Sequence, residues 1–343
     1  MMGKYSIENY EKYKMIKCRP EEDRTPVPGA GFSSFTTLEI TPDERPELTE
    51  KTLLRVHFRS NGDAALTEAE LSSLASRYCR DPAVIGITPA AGGSSRRRVW
   101  ETLAEAFSPK RFFVPVSDGE MLDYALKQGF LGGLLAEVGN NPLDTCEAFA
   151  ANGAQRLFER VPVLVRFTRP EKADSRYALQ WHANAVEGVK ELAGPRIALR
   201  RLNYPKALTS CGFAPMQFWW TNRGPSPLYD RTEVRLRIVR GGRTIAAILP
   251  GDNPERIHLG DRVFNRILRL PEIPEGQYRL EFGLFLEDGT PVRLANANPT
   301  GEGYYDGDVI HIDRIPRPEF ETIWENYRPD GYYPLEDPKL PGE

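Results

Sequence analysis

The sequence predicts two folded parts in a chain of 343 residues. The first is a TIM-like (β/α) barrel shortened to about seven strands, and the second is an antiparallel β-sandwich. Three observations predict this. From Phe32 to Leu202, short apolar runs alternate with amphipathic stretches at intervals of roughly 20 to 35 residues, which is the pattern of βα units. From Glu233 onward the rhythm changes to alternating strands with turn residues about every 8 to 12 positions. Between them lies CGFAPMQFWWTNRGPSPLYD (Cys211–Asp230), where Phe218, Trp219 and Trp220 run straight into the turn chemistry of Thr221–Pro225.

The barrel strands are read from FSSFTTLEI (32–40), TLLRVHF (52–58), AVIGIT (83–88), RFFVPV (111–116), GLLAEV (133–138), VPVLVRF (161–167) and RIALRRL (196–202). Near-continuous apolar runs of this kind suit a parallel sheet covered on both faces. Helices are expected over Thr67–Tyr78, where Thr67 and Glu70 have capping-box spacing, and over Arg98–Phe107, Gly119–Lys127, Asp144–Glu159 and Ser175–Leu192. A closed eight-stranded barrel takes about 250 residues, and this region is shorter, hence the expectation of a reduced barrel. The domains are set at 1–30 (an extension), 31–205 (barrel), 206–315 (sandwich) and 316–343 (a strap).

In the sandwich, Val234, Leu236 and Ile238 alternate with Arg235 and Arg237, and Tyr278, Leu280, Phe282, Leu284 and Leu286 alternate with Arg279, Glu281 and Gly283. One face is core and the other is wet. The same alternation means that Phe218, Trp219 and Trp220 cannot all enter one core, so at least one is expected to meet a neighbouring layer or solvent, or to serve as an interface. The strap carries six prolines but also Phe320, Trp324, Tyr327, Tyr332 and Tyr333. That composition is too aromatic for a disordered tail.

Net charge of −3 gives no electrostatic reason to expect nucleic acid. No apolar run approaches the roughly 18 residues of a membrane span, and the start has no apolar leader, so a cytoplasmic location is expected. Cys18, Cys79, Cys146 and Cys211 are widely spaced without a C-x-x-C pair and read as four buried thiols. His57, His182, His258 and His311 include no pair at metal-ligand spacing, and neither a metal nor another cofactor is expected. Gly92-Gly93-Ser94-Ser95 ahead of Arg96-Arg97-Arg98 reads either as a solvated basic turn or as an anion site at a helix start.

Several segments resemble bacterial glycoside-hydrolase-like proteins that join a TIM-type barrel to a C-terminal β-sandwich of unknown function. They are Tyr204–Gly224 with the FWWTNRGPSP strand-turn, Leu280–Asn298 leading into Gly301–Ile312, the opening turn PGAGF (28–32), and SRYCRDPAVIGI (76–87). The resemblance implies a carbohydrate ligand at the C-terminal face of the barrel. The chain departs from that pattern in the loop after 83–88, PAAGGSS, which lacks the family's glutamate, and in a missing strand between 32–40 and 52–58.

Glycoside hydrolysis needs one carboxyl that donates a proton and another that attacks or activates water, about 5 to 9.5 Å apart. Glu137, inside the apolar run LLAEV, is the candidate donor, with Asp118 or Glu120 as its partner. Asp118 reads equally as the cap of the helix at Gly119. Arg59, Asn61, Asp63, Arg166, Trp181 and Asn203 are candidate contacts to sugar hydroxyls or rings, although Trp181 also has the spacing of a core residue. Two functions stand open: a hydrolase acting on an oligosaccharide or glycoside, and a catalytically degenerate barrel that binds a carbohydrate or a protein.

Overall fold

A computed structural model describes residues 13–17, 34–40, 47–48, 51–56, 68–81, 83–89, 97–107, 112–169, 171, 174–189, 193–205, 207–254, 256–314 and 331–333. The chain divides into two compact units, one made of Gly31–Pro195 and Gly224–Tyr229, the other of Met1–Ala30, Arg196–Arg223 and Asp230–Glu343. The first described strand, β1 (Tyr13–Lys17), belongs to the second unit.

In the first unit, strands β2 (Ser34–Ile40), β3 (Thr52–Val56), β4 (Val84–Pro89), β5 (Phe113–Pro115), β6 (Gly133–Val138), β7 (Val163–Phe167) and β8 (Ala183–Glu187) form one all-parallel sheet. Its order is β4-β3-β2-β8-β7-β6-β5. A parallel bridge between Ile87 and Phe112 brings the two edge strands together. The sheet is therefore nearly closed and barrel-like, with the strands following one another around it in chain order.

Helices occupy the crossovers: α1 (Glu68–Tyr78), α2 (Arg97–Phe107), α3 (Gly119–Gln128), α4 (Pro142–Ala151) and α5 (Ser175–Gln180). Their starts have readable causes. Asp118 Oδ1 accepts from Met121 N at the start of α3, and Gly129, at φ 76°, ends it where an L side chain would be strained. Asn141 caps α4 with a proline in the first turn, and Asp174 caps α5. The apolar faces of these helices (Leu74, Trp100, Leu103, Met121, Phe149) share one buried cluster with the outward strand residues Leu54, Ile87, Val114, Leu134 and Val165.

Inside the sheet lies a second, separate cluster. Phe35, Leu53, Phe113, Leu135, Leu164 and Ala185 are buried together with Ile85 packed against them, so every one of the seven strands contributes one residue to an apolar plug. Gly133 makes room for it, because a Cβ there would stand 2.2 Å from Phe113 Cε1.

Three expectations are corrected. The helix read over Ser175–Leu192 stops at Gln180, and Ala183–Glu187 is the last barrel strand. The break is His182, which takes a left-handed φ of 55°, a conformation that ends a helix and is uncommon for a non-glycine residue. The run at 196–202, read as the seventh barrel strand, instead begins β9 (Ile197–Pro205) of the other unit, so the barrel unit ends at Pro195 rather than at residue 205. The helix expected over Asp144–Glu159 also ends early, at Ala151, and Ala154–Glu159 is a separate 3₁₀ turn after Gly153 at φ 64°.

The second unit holds two sheets. One runs β1-β9-β11-β14-β18, with β11 (Phe213–Asn222), β14 (Gly260–Arg269) and β18 (Gly331–Tyr333). The other runs β10-β17-β15-β12-β13, with β10 (Ala207–Thr209), β12 (Thr232–Arg240), β13 (Arg243–Ile248), β15 (Gly276–Leu286) and β17 (Tyr304–Asp313), and β16 (Pro299–Gly301) beside β17. All pairs are antiparallel except β10 with β17. The segment 290–298 is mostly irregular. Within it, buried Asn296 bonds both the N–H and the C=O of Leu199, completing the backbone of β9.

The aromatic triplet is not an exposed surface: Phe218, Trp219 and Trp220 are all buried. Phe218 stacks on its cross-strand partner Phe264 at 4.5 Å, Trp220 meets Phe282 of the other sheet edge-on, and Trp219 turns the other way beneath the guanidinium of Arg201. Of the strap, Gly331–Tyr333 pair with β14; its remaining residues, and all of the N-terminal extension except β1, lie outside the described residues.

Candidate functional site: the carboxyl-end mouth of the barrel

Strand side chains alternate, so the residue two places beyond each plug residue points to the same inner face, one layer nearer the C-terminal ends. Those positions carry Thr37 after Phe35, Arg55 after Leu53, Glu137 after Leu135, Arg166 after Leu164 and Glu187 after Ala185. On β4, the register irregularity beside Leu53 brings Thr88 opposite Arg55. A layer of apolar side chains is thus followed by a layer of charged and hydroxyl side chains.

The charged residues form one connected network. Arg55 Nη1 donates to Glu137 Oε1 at 2.6 Å, and Arg166 Nη1 stands 3.6 Å from the same oxygen. Arg166 also reaches Glu187 (Nε to Oε2, 3.0 Å) and Glu39 (3.5 Å). Glu187 Oε1 in turn accepts the backbone N–H of Thr37 at 2.7 Å. Two guanidinium groups and three carboxylates are thus linked across the mouth, with Arg166 in reach of all three carboxylates. The Arg55 and Glu137 side chains are 16% and 25% exposed, deep enough to be shielded yet still open to solvent on one side.

Three polar atoms in this layer are buried without a hydrogen-bond partner among the described residues: Thr37 Oγ1, Arg55 Nε and Thr88 Oγ1. Thr88 is completely buried. A buried polar group without a partner costs about 1–3 kcal/mol, so this layer has hydrogen-bonding capacity that no described residue uses. Closed parallel barrels bind ligands at this end.

Of the residues expected at a site, Glu137 and Arg166 come together here. Asp118 serves as the α3 cap, and Glu120 is an exposed partner of Arg97. Trp181 is buried at the end of α5, stacked between Tyr177 and Phe149. Asn203 lies on β9 of the other unit, donating to Gln217. Arg59, Asn61 and Asp63 lie outside the described residues, as do the glycines and serines of the 92–95 loop.

Sequence reasoning missed Thr37, Arg55, Thr88, Glu187 and Glu39. The available signal was a polar residue two places beyond each apolar inner position, which is visible only once the strands and their registers are known.

Elsewhere, Cys79 and Cys146 are half-buried and Cys211 is exposed, so the expectation of four buried thiols is not met; Cys18 is outside the described residues. Among the described residues, Glu275, His311 and Asp313 bring three donor atoms within 4.8 Å of one another, with His311 Nε2 2.9 Å from Asp313 Oδ1. This grouping of the residue just before β15 with two residues of β17 has the donor types of a divalent-metal site, and no spacing rule along the chain would reveal it. No described helix is long and apolar enough to cross a membrane.

No family model and no curated protein matches the chain. Among solved structures, it overlaps the C-terminal domain of Wzt at 15% identity, covering 35% of this chain and 75% of that one, with a TM-score of 0.26. It overlaps the CARDB domain of the PF1109 protein from Pyrococcus furiosus at 18% identity, covering 35% and 96%, with a TM-score of 0.22. The alkylpurine DNA glycosylase AlkC of Pseudomonas fluorescens overlaps at 11% identity over 73% and 53%, with a TM-score of 0.23. Overlaps this loose assign the chain neither a fold family nor a function.

Proposed function

We propose that the barrel-like unit works as a TIM-type barrel that binds a hydroxyl-rich ligand, an oligosaccharide or glycoside, at its carboxyl-end mouth without hydrolysing it. The observation that carries this reading is Glu137 held between Arg55 and Arg166. A glycosidase needs a carboxyl with a proton to give, whereas an ion-paired carboxylate is an acceptor. The partners considered for it are committed elsewhere, Asp118 to a helix cap and Glu120 to Arg97.

Binding is a different matter. Sugar hydroxyls donate and accept at once, and the mouth offers both roles through the partly exposed carboxylates and guanidinium N–H groups. The apolar plug beneath keeps the floor rigid, so these groups are presented in fixed positions.

The test combines turnover of a panel of aryl glycosides with calorimetric titration of the corresponding oligosaccharides, using the wild type, Glu187→Gln and Glu137→Gln. The expected result is no turnover, together with sugar binding that Glu187→Gln weakens while leaving the fold intact. Turnover that Glu137→Gln abolishes would replace this reading with hydrolysis. Absence of both turnover and binding across the panel would remove the carbohydrate from it.

A further inference from the structure

The two-residue period of a strand puts His311 and Asp313 of β17 on one face of the second unit's β10-β17-β15-β12-β13 sheet, and Ile312, between them, on the other. Ile312 is fully buried, whereas the His311 and Asp313 side chains are 49% and 20% exposed, so theirs is the wet face. The neighbouring strand β15 brings a third donor. It pairs Gln277 with His311 and Gly276 with Ile312, and one further step of the same antiparallel register sets Glu275 across from Asp313.

The donor atoms agree with that register. One ligand atom from each of Glu275, His311 and Asp313 lies within 4.8 Å of the other two, and His311 Nε2 is 2.9 Å from Asp313 Oδ1. Around a tetrahedral zinc ion, bonds of about 2.1 Å hold the donors roughly 3.4 Å apart. The small closure this requires falls to Glu275 and His311, both of which are exposed.

The arrangement also has a charge to settle. Like charges directly opposite each other on two strands destabilise a sheet, and two carboxylates meet at this end of the β15–β17 ladder. Among the described residues, Glu275 has no ion-pair or hydrogen-bond partner. A divalent cation between Glu275 and Asp313 turns their repulsion into attraction and cancels both charges. It takes the place of the proton in the His311–Asp313 contact, and that proton passes to solvent, because metal ligands bind deprotonated.

The donor set selects the ion. One imidazole nitrogen with two carboxylate oxygens suits Zn²⁺, while Mg²⁺ and Ca²⁺ take shells built from oxygen. Three protein donors leave the fourth zinc position to water. We infer that Glu275, His311 and Asp313 form a zinc-binding site that pins the start of β15 to the end of β17. The site belongs to the second unit and does not depend on what the barrel mouth binds.

The test is calorimetric titration of Zn²⁺ into the full chain, made without an affinity tag and carrying Cys211→Ser so that this exposed thiol takes no part. A single equivalent should bind. Glu275→Gln, His311→Gln and Asp313→Asn each remove one donor, with the fold checked by circular dichroism. Each should weaken binding by at least about tenfold, the smaller effect of disturbing even an outer partner of a metal ligand. His258→Gln, a change at a histidine outside the group, should leave binding unchanged. Mg²⁺ should bind at least about tenfold more weakly than Zn²⁺, and zinc should slow amide exchange at Gln277 and Ile312. No zinc binding, binding that survives His311→Gln or Glu275→Gln, an equal loss in His258→Gln, or equal affinity for Mg²⁺ would each overturn the assignment.

Discussion

Replacing Glu137 with glutamine removes one charge from the mouth and almost nothing else. The side chain keeps its shape, and its carbonyl oxygen can still accept from Arg55 Nη1, now 2.6 Å from Glu137 Oε1. What is lost is the charge on that bond and on the longer contact to Arg166 at 3.6 Å. Hydrogen bonds to charged groups contribute about 1.5–3 kcal/mol and neutral ones about 0.5–1.5 kcal/mol. Exposed ion pairs contribute about 0–1 kcal/mol, and breaking a buried one costs about 3–5 kcal/mol. With side chains 16% and 25% exposed, this pair lies between those limits. Arg166 also keeps Glu187 at 3.0 Å after the change. The expected cost is about 1–2 kcal/mol. Amide hydrogen exchange of Thr52–Val56 and Gly133–Val138 measures it locally, without relying on a single unfolding transition for a two-unit chain. Protection of these strands should fall about tenfold. A cycle adding Arg55→Met should show coupling of the same size, because removing both partners together relieves the stranded charge. Protection changed by less than about twofold, or effects that simply add, would mean that Glu137 is not held by Arg55, and the argument against a proton-donating role would fall with it.

Two further outcomes are expected. Gly133→Ala places a Cβ 2.2 Å from Phe113 Cε1 and 2.9 Å from the Pro162 carbonyl oxygen, so it should destabilise the barrel by about 1–3 kcal/mol through overpacking; a thermal melt checks this, and Phe113→Leu in the same background should recover part of the loss. Burial holds the His182 imidazole below its ordinary value, outweighing the Pro225 carbonyl and the charge of Glu159, which both act to raise it. Between its folded and unfolded values the unfolded chain therefore binds more protons. His182 accordingly supports the fold fully above the ordinary histidine value of about 6.5, and that support is lost as pH falls below it. Urea midpoints on either side of that pH should show a smaller acid-side loss in His182→Asn than in the wild type, and equal losses would contradict the role given to burial.

The barrel was legible where apolar runs are long and flanked by crossover helices: the strands at 34–40, 52–56, 113–115, 133–138 and 163–167 fall within runs read from the sequence, and the strand at 84–89 passes the run at 83–88 by one residue. Local chemistry also marked the α3 start, because an aspartate before Gly-Glu is a cap in its own right. Ala183–Glu187 was not legible. It follows α5 after only Trp181 and His182, and nothing in the identity of a histidine announces a left-handed backbone; packing against Phe158 and the bond to Pro225 impose it. The run Ile197–Pro205 shows the complementary failure. Its composition says strand, but a strand's sheet is decided by which edge its N–H and C=O groups meet, and these meet β11 and β1.

The site divides in the same way. The sequence alone determines that Glu137 and Arg166 are charged residues near the ends of apolar strands, because that depends only on neighbours along the chain. That Arg55, Glu137, Arg166 and Glu187 form one network, with Thr88 buried beside them, was decided by tertiary structure. Their contacts join strands that are far apart in sequence, through registers set by the closure of the sheet and the filling of its interior.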